Sequence, residues 1–278
     1  MELGEDQQNT CSDCGGRGWI LEPDGGAGSA RPCPCRQDEL VPRLLARSGI
    51  PARYRGKTLA NFKIQHGGPG ESDSRLTAAE RCRSYLAGFV PNNTEQGLLF
   101  CGPPGVGKTH LATAVLTELI TSYRLHGVFV DFTSLVHRIQ STFNPSSPES
   151  KHEVLDPVAH AEVLVLDELG AQKPTQWVRD TLYLIVNTRY SSRLPTFFTT
   201  NYELEPDKNR GPRPIERPLD RGADSDSQFF QESTSAREGL AERVGVNLVS
   251  RLYEMTGKPV EIRAEDFRRD VKMHSHPY

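Results

Sequence analysis

The stretch Phe100 to Ala112 reads FCGPPGVGKTHLA, and within it Gly102 to Thr109 fits G-x-x-x-x-G-K-[ST]. Glycines at these places let successive backbone N–H groups turn inward around a phosphate. A helix that follows presents its positive N-terminal end to the same anion. Lysine in the penultimate place reaches β- and γ-phosphates, and the hydroxyl after it reaches Mg²⁺. GLLFC, just before, has the short apolar look of a buried strand, and a helix is expected from Lys108 to Tyr123. A phosphate-binding loop requires that strand–turn–helix context. The nucleotide-contacting candidates are therefore Gly102, Pro103, Pro104, Gly105, Val106, Gly107, Lys108 and Thr109, with His110 next along the helix.

Outward from this loop the pattern repeats. GVFVDF, AEVLVLD and PTFFTTN are further apolar strands, and PVEI, Pro259 to Ile262, is a last short one. PTQWVRDTLYLIVNTRY, from Pro174, and AERVGVNLVSRLYEM read as helices. An earlier helix is expected from Thr77, where TAAE has the form of a capping box and Ala78, Cys82, Tyr85, Leu86 and Phe89 follow at helical spacing. Strands alternating with helices predict an α/β fold, a parallel sheet with helices on both faces. Residues 207–238, rich in Pro, Gly, Ser and mixed charge, read as a disordered insertion. The expected organisation is a Cys-rich module over 1–38, a linker and helical segment over 39–93, a nucleotide-binding domain over 94–271 and a tail over 272–278.

AEVLVLDELG ends its strand in Asp167 and Glu168. Asp167 suits the second Mg²⁺-side ligand of a P-loop site, and an acid beside it suits a general base that polarises water. Two acids at a strand end also suit the cap of a following helix. Asn201 closes PTFFTTN, at the edge where open parallel sheets gather their chemistry, although asparagine there is also ordinary turn chemistry. Arg251 in LVSRLYEM and Arg268 in EDFRRDV come too late to build the loop. Arginine suits γ-phosphate recognition, yet both positions fit a solvated helix face equally well.

The 278 residues are 36% hydrophobic and 25% charged with a net charge of −3, which gives no global basic signal for nucleic acid. No apolar run approaches the roughly 18–20 residues that span a bilayer, and MELGEDQQNT has no secretory core, so a cytoplasmic protein without a membrane partner is expected. Cys11, Cys14, Cys33 and Cys35 form C-x₂-C and C-x-C pairs. Four thiolates can close a structural Zn²⁺ site, and such a site contributes on the order of 10–16 kcal/mol, enough to hold a small module with little core. Two disulfides or free thiols are the alternatives.

The motifs GIPARYRGKTLANF, GPPGVGKTHLATAV, VLVLDELGAQKPTQWVRDTLYLIVNTRY, LPTFFTTN, and LVSRLYEMTG with EDFRRD occur in that order across most of residues 50–271. In this colinear set the chain resembles the AAA+ ATPases of the DnaC/IstB type, which include the DnaI-like helicase loaders. The resemblance implies a P-loop AAA+ fold that binds and hydrolyses ATP with Mg²⁺, in homo-oligomers that load or remodel a partner on DNA. It implies Walker A roles for Lys108 and Thr109, Walker B roles for Asp167 and Glu168, and a sensor role for Asn201. Arg251 would be the finger inserted into a neighbour's site, and Arg268 a second sensor. Sixteen residues follow PVEI, too few for the helical lid of many such proteins, so a neighbouring subunit would cover the nucleotide.

The leading expectation is a helicase loader in DNA replication, with a replicative helicase and single-stranded DNA as partners. An IstB-type transposition helper and a non-catalytic adaptor locked by ATP are the alternatives. Arg189, Tyr190 and Arg193 are candidate DNA contacts that read equally well as helix-end residues.

Overall fold

In the computed structural model, residues 13–14, 19–21, 30–64, 74–144, 146–171, 175–204, 239–264 and 266–267 are described, residues 21, 32 and 34–39 by their backbone alone. Near the start, β1 (Trp19–Leu21) and β2 (Ala30–Pro32) pair antiparallel with Trp19 opposite Pro32. Cys33 follows the ribbon directly as the N-cap of helix α1 (Pro34–Arg47).

Five parallel strands form the central sheet: β3 (Leu99–Cys101), β4 (Gly127–Asp131), β5 (Val163–Asp167), β6 (Thr196–Thr200) and β7 (Val260–Glu261), in the spatial order β4-β5-β6-β3-β7. The register sets Asp131 beside Asp167 and Cys101 beside Thr200, so the strand ends that matter for chemistry lie along one edge. Burial on both faces explains why these strands lack the polar alternation of a half-exposed sheet.

Successive strand residues point to opposite layers. Leu98, Phe100, Val163, Val165 and Phe197 pack with helices α2 (Ser74–Ala87) and α3 (Lys108–Tyr123). Leu99, Cys101, Leu164, Leu166 and Phe198 face the other way. There they meet α4 (Phe132–Ser141), α5 (Lys151–His160), α6 (Gln176–Ser191), α7 (Leu240–Val244) and α8 (Val246–Thr256). The expected parallel sheet with helices on both faces is the architecture found.

Two readings of the sequence are corrected, and one stretch left unassigned by it proves helical. The helix expected from Thr77 starts at Ser74, so Thr77 and Glu80 lie inside it and do not cap it. AERVGVNLVSRLYEM is two helices, because Gly245 adopts φ 98° and ψ 143°, a conformation open to glycine and strained for other residues. Between β4 and β5 the chain forms α4 and α5, which periodicity had not suggested. Their start signals are local: the Asp131 carboxylate accepts the Ser134 N–H at 2.7 Å, and Ser150 with Glu153 makes a reciprocal capping box.

Arg189, a candidate DNA contact on sequence grounds, is fully buried. Its guanidinium donates to the carbonyls of Val158, Ala159, Ala161 and Pro195 and to the Thr196 hydroxyl, at 2.7 to 3.3 Å. It thereby caps the C-terminal end of α5 and ties it to the start of β6. Burial pulls its pKa down to about 9. Replacing Arg189 with Met strands several buried carbonyls. In urea unfolding this is expected to cost on the order of 3 kcal/mol, and Lys is not expected to restore it, because an ammonium cannot span those acceptors together.

Candidate nucleotide-binding site

Residues 102–107 connect β3 to α3, and three of them are glycines with positive φ: Gly102 at 147°, Gly105 at 80° and Gly107 at 104°. Crowding adds to the conformational demand. A Cβ on Gly107 would lie 2.6 Å from the Phe62 ring, and one on Gly105 would lie 1.7 Å from the Asp266 carboxylate. The Lys108 side chain is buried and turned into the loop, where its ammonium donates to the carbonyls of Gly102 and Pro103 at 2.8 and 2.7 Å. A cation is thus held inside a ring of backbone at the N-terminus of a sixteen-residue helix. Such a cradle fits a phosphate chain. His110 leaves α3 in another direction: its Nε2 lies 2.9 Å from the Thr58 carbonyl and its ring meets Phe62 edge-on. Burial lowers its pKa.

Across the sheet edge, β5 ends in Asp167. Its Oδ1 accepts the Thr109 hydroxyl at 2.9 Å and the Thr199 hydroxyl at 2.6 Å. Asp167 is buried, and that burial raises its pKa against the lowering effect of the two hydroxyls. A hydroxyl and a carboxylate at this separation form a pair of oxygen ligands that suits Mg²⁺. Glu168 follows with φ 58°, a left-handed conformation costing a non-glycine residue roughly 1–2 kcal/mol. Four contacts fix it there. The Glu168 N–H donates to Thr199 Oγ1 at 3.0 Å, and the Leu169 N–H to the Thr199 carbonyl at 2.8 Å. Thr200 Oγ1 donates to the Leu169 carbonyl at 2.8 Å, and Arg243 Nε to the Gly170 carbonyl at 2.5 Å. Strain held this firmly is a feature of functional turns.

The structure therefore brings Lys108, Thr109, Asp167 and Glu168 together. Asn201 follows β6 directly and is exposed on the same edge. Arg251 is elsewhere: it stands on α8, in the layer opposite α3, and its partners are Asn187, Tyr183 and Tyr190 of α6. Arg268 lies outside the described residues. The chain just before it reaches the loop, because the Phe267 N–H donates to the Gly105 carbonyl at 3.3 Å.

Of the four N-terminal cysteines, Cys14 and Cys33 are buried, and Cys33 directly follows β2 at the ribbon end where β1 begins. Cys11 and the Cys35 side chain lie outside the described residues, as do the 207–238 insertion and the tail over 272–278. Among the described residues no group of three or more His, Cys, Asp or Glu could hold a metal ion, and no helix is long and apolar enough to cross a membrane.

A family model described as IstB-like ATP binding protein matches residues 59–208, just over half of the chain. The chain belongs to this family. The replicative helicase loader DnaC of Escherichia coli (strain K12) is 28% identical over 166 residues, 59% of this chain and 62% of that protein. The match thus spans less than two thirds of that relative's length. DnaC of Buchnera aphidicola subsp. Schizaphis graminum is 32% identical over 179 residues, 63% of this chain and 68% of the relative. A crystal structure of the DnaC helicase loader superposes with a TM-score of 0.56 at 29% identity, covering 77% of this chain and 100% of that one. The phosphate loop, the acid edge and β6 of this IstB-like protein all fall within the matched residues.

Thr199 was missed by the sequence reading, in which PTFFTTN pointed only to its final asparagine. The available signal was the residue type: a hydroxyl in a fully buried strand needs a partner. Thr199→Val leaves the Glu168 N–H unpaired. It is expected to lower stability by about 1–3 kcal/mol in urea unfolding, and to slow nucleotide turnover more than it weakens nucleotide binding.

Proposed function

We propose that this chain is an ATP-hydrolysing AAA+ protein that acts in DNA replication as a loader of a replicative helicase. The observation that carries the hydrolytic part is the left-handed Glu168, clamped by its N–H to Thr199 directly after the buried Asp167 that holds Thr109 of the phosphate loop. In this reading the backbone of residues 102–107 and Lys108 bind the triphosphate. Thr109 and Asp167 would hold Mg²⁺, which when bound would supply positive charge against the phosphate oxygens. Asn201 orients a water whose oxygen attacks the γ-phosphorus, Glu168 takes its proton, and the bond to the ADP oxygen breaks. Arg251 of a second copy and Arg268 of the same chain stabilise the transferred phosphoryl group.

The replicative part rests on the relatives named as helicase loaders and on the DnaC crystal structure. Single-stranded DNA would be the track on which the 94–271 domain acts. The family's IstB-like description favours a transposase as the alternative partner. Turnover is to be measured with and without single-stranded DNA and with a cognate helicase. Stimulation by both supports the loader, and a response only to a transposase on DNA overturns it. Lys108→Ala is expected to abolish ATP binding. Glu168→Gln is expected to retain binding and lose turnover by about 100-fold, a typical share for a general base. Unchanged partner remodelling by Glu168→Gln would leave an adaptor in which ATP is only a lock. Arg251→Ala is expected to keep ATP affinity and lose stimulated turnover.

For residues 1–38 the proposal is a structural zinc module that grips the partner protein. It is supported by the burial of Cys14 and Cys33 and by the ribbon, which brings the start of β1 beside the end of β2 that Cys33 follows. Metal analysis is expected to find one zinc per chain. Cys33→Ser is expected to lose the metal while ATP binding persists, and a metal-free wild-type protein would contradict the module.

A further inference from the structure

Arg251 is held in an unusual way for an arginine with a duty to an anion. Tyr183, Asn187 and Tyr190 lie at i, i+4 and i+7 on one face of α6. The Arg251 guanidinium sits 5.2 Å from the Tyr183 ring centre and 5.0 Å from that of Tyr190, and it donates to Asn187 Oδ1 and, at 3.2 Å, to the Tyr183 hydroxyl. All three partners are neutral. The nearby carboxylate, Glu254, accepts the Tyr190 hydroxyl instead. Both tyrosines remain about two-fifths exposed, Tyr183 at 42% and Tyr190 at 40%, so the site opens to the surface.

We propose that Tyr183, Asn187 and Tyr190 are positioning residues that fix the Arg251 guanidinium, with its charge uncancelled, for the phosphates bound to a second copy of this chain. The inference rests on the trans role given to Arg251 above and adds the device that makes it work. A free arginine side chain carries about 2 kcal/mol of rotamer entropy, which would be lost on insertion into a neighbour's site. Two ring faces and an amide order the group beforehand, and ring faces attract a cation without neutralising it as a carboxylate would. Ordinary packing would require neither neutrality nor flanking rings.

The variant Asn187→Asp separates the two roles. It gives Arg251 an ion pair, so a purely structural contact would be kept or strengthened. The positioning role predicts that stimulated turnover falls at least tenfold in kcat. Over the same change, thermal stability holds or rises and the ATP affinity of the isolated protomer stays within twofold. Tyr183→Leu with Tyr190→Leu is expected to lower turnover similarly and to broaden the Arg251 Nε–H resonance in the isolated protomer. Mixing Asn187→Asp protomers with Lys108→Ala protomers, whose cradle is intact, is expected to recover activity. Turnover within twofold of wild type in Asn187→Asp and the double Leu variant, alongside an inactive Arg251→Ala, overturns the cradle and leaves the trans arginine standing. Full activity of Arg251→Ala overturns both.

Discussion

One carboxylate oxygen, Oδ1 of Asp167, joins three elements that are far apart in the chain. It accepts from Thr109 at the first turn of α3 and from Thr199 in β6, while its own backbone ends β5. Removing a carboxylate from water is costly unless hydrogen bonds replace the lost solvation. The two hydroxyls do so, and in doing so they fix the phosphate loop against the acid edge. Thr199 passes the constraint on through the Glu168 N–H, so the strained turn depends on the same oxygen. A cation brought to this edge meets ligands that are already arranged.

The sheet supplies the rest of that arrangement. β3 lies between β6 and β7, although β4 follows it in sequence and pairs on the far side of β5. The phosphate loop therefore opens between the ends of two strands that come late in the chain. From one side arrives Asn201. From the other comes the segment after β7, where the Ile262 N–H donates to the Cys101 carbonyl and the Phe267 N–H to that of Gly105. Open parallel sheets place ligands at such reversals of strand order because the connections part there and leave a crevice.

What could be read from the sequence follows from how local each signal is. The loop from Gly102 to Thr109 was legible because glycine, lysine and hydroxyl types are fixed by phosphate chemistry and lie side by side. The strands were legible because burial on both faces leaves short runs that are mostly apolar. Thr199 was not, since its partner is 32 positions away and nothing in TFFTT distinguishes it from the other two threonines. Gly245 was hidden for the opposite reason: one glycine within an amphipathic pattern does not announce a break until its φ is known. The start of α2 was misplaced because a capping-box pattern is equally compatible with a helix interior when exposed polar residues recur.

Two arginines in the same layer show why burial, which sequence does not state, decides function. Arg189 and Arg251 both belong to amphipathic helices, and each fits a charged helix face by spacing. Arg189 spends its donors on carbonyls and the Thr196 hydroxyl and has no surface left for a ligand. Arg251 spends its donors on a neutral amide and a phenol, at a half-exposed position between two rings. Carbonyl dipoles distribute the charge of the first through the scaffold. The second stands half-exposed among neutral partners, and that arrangement is what the proposed recognition of a phosphate on a second copy would require.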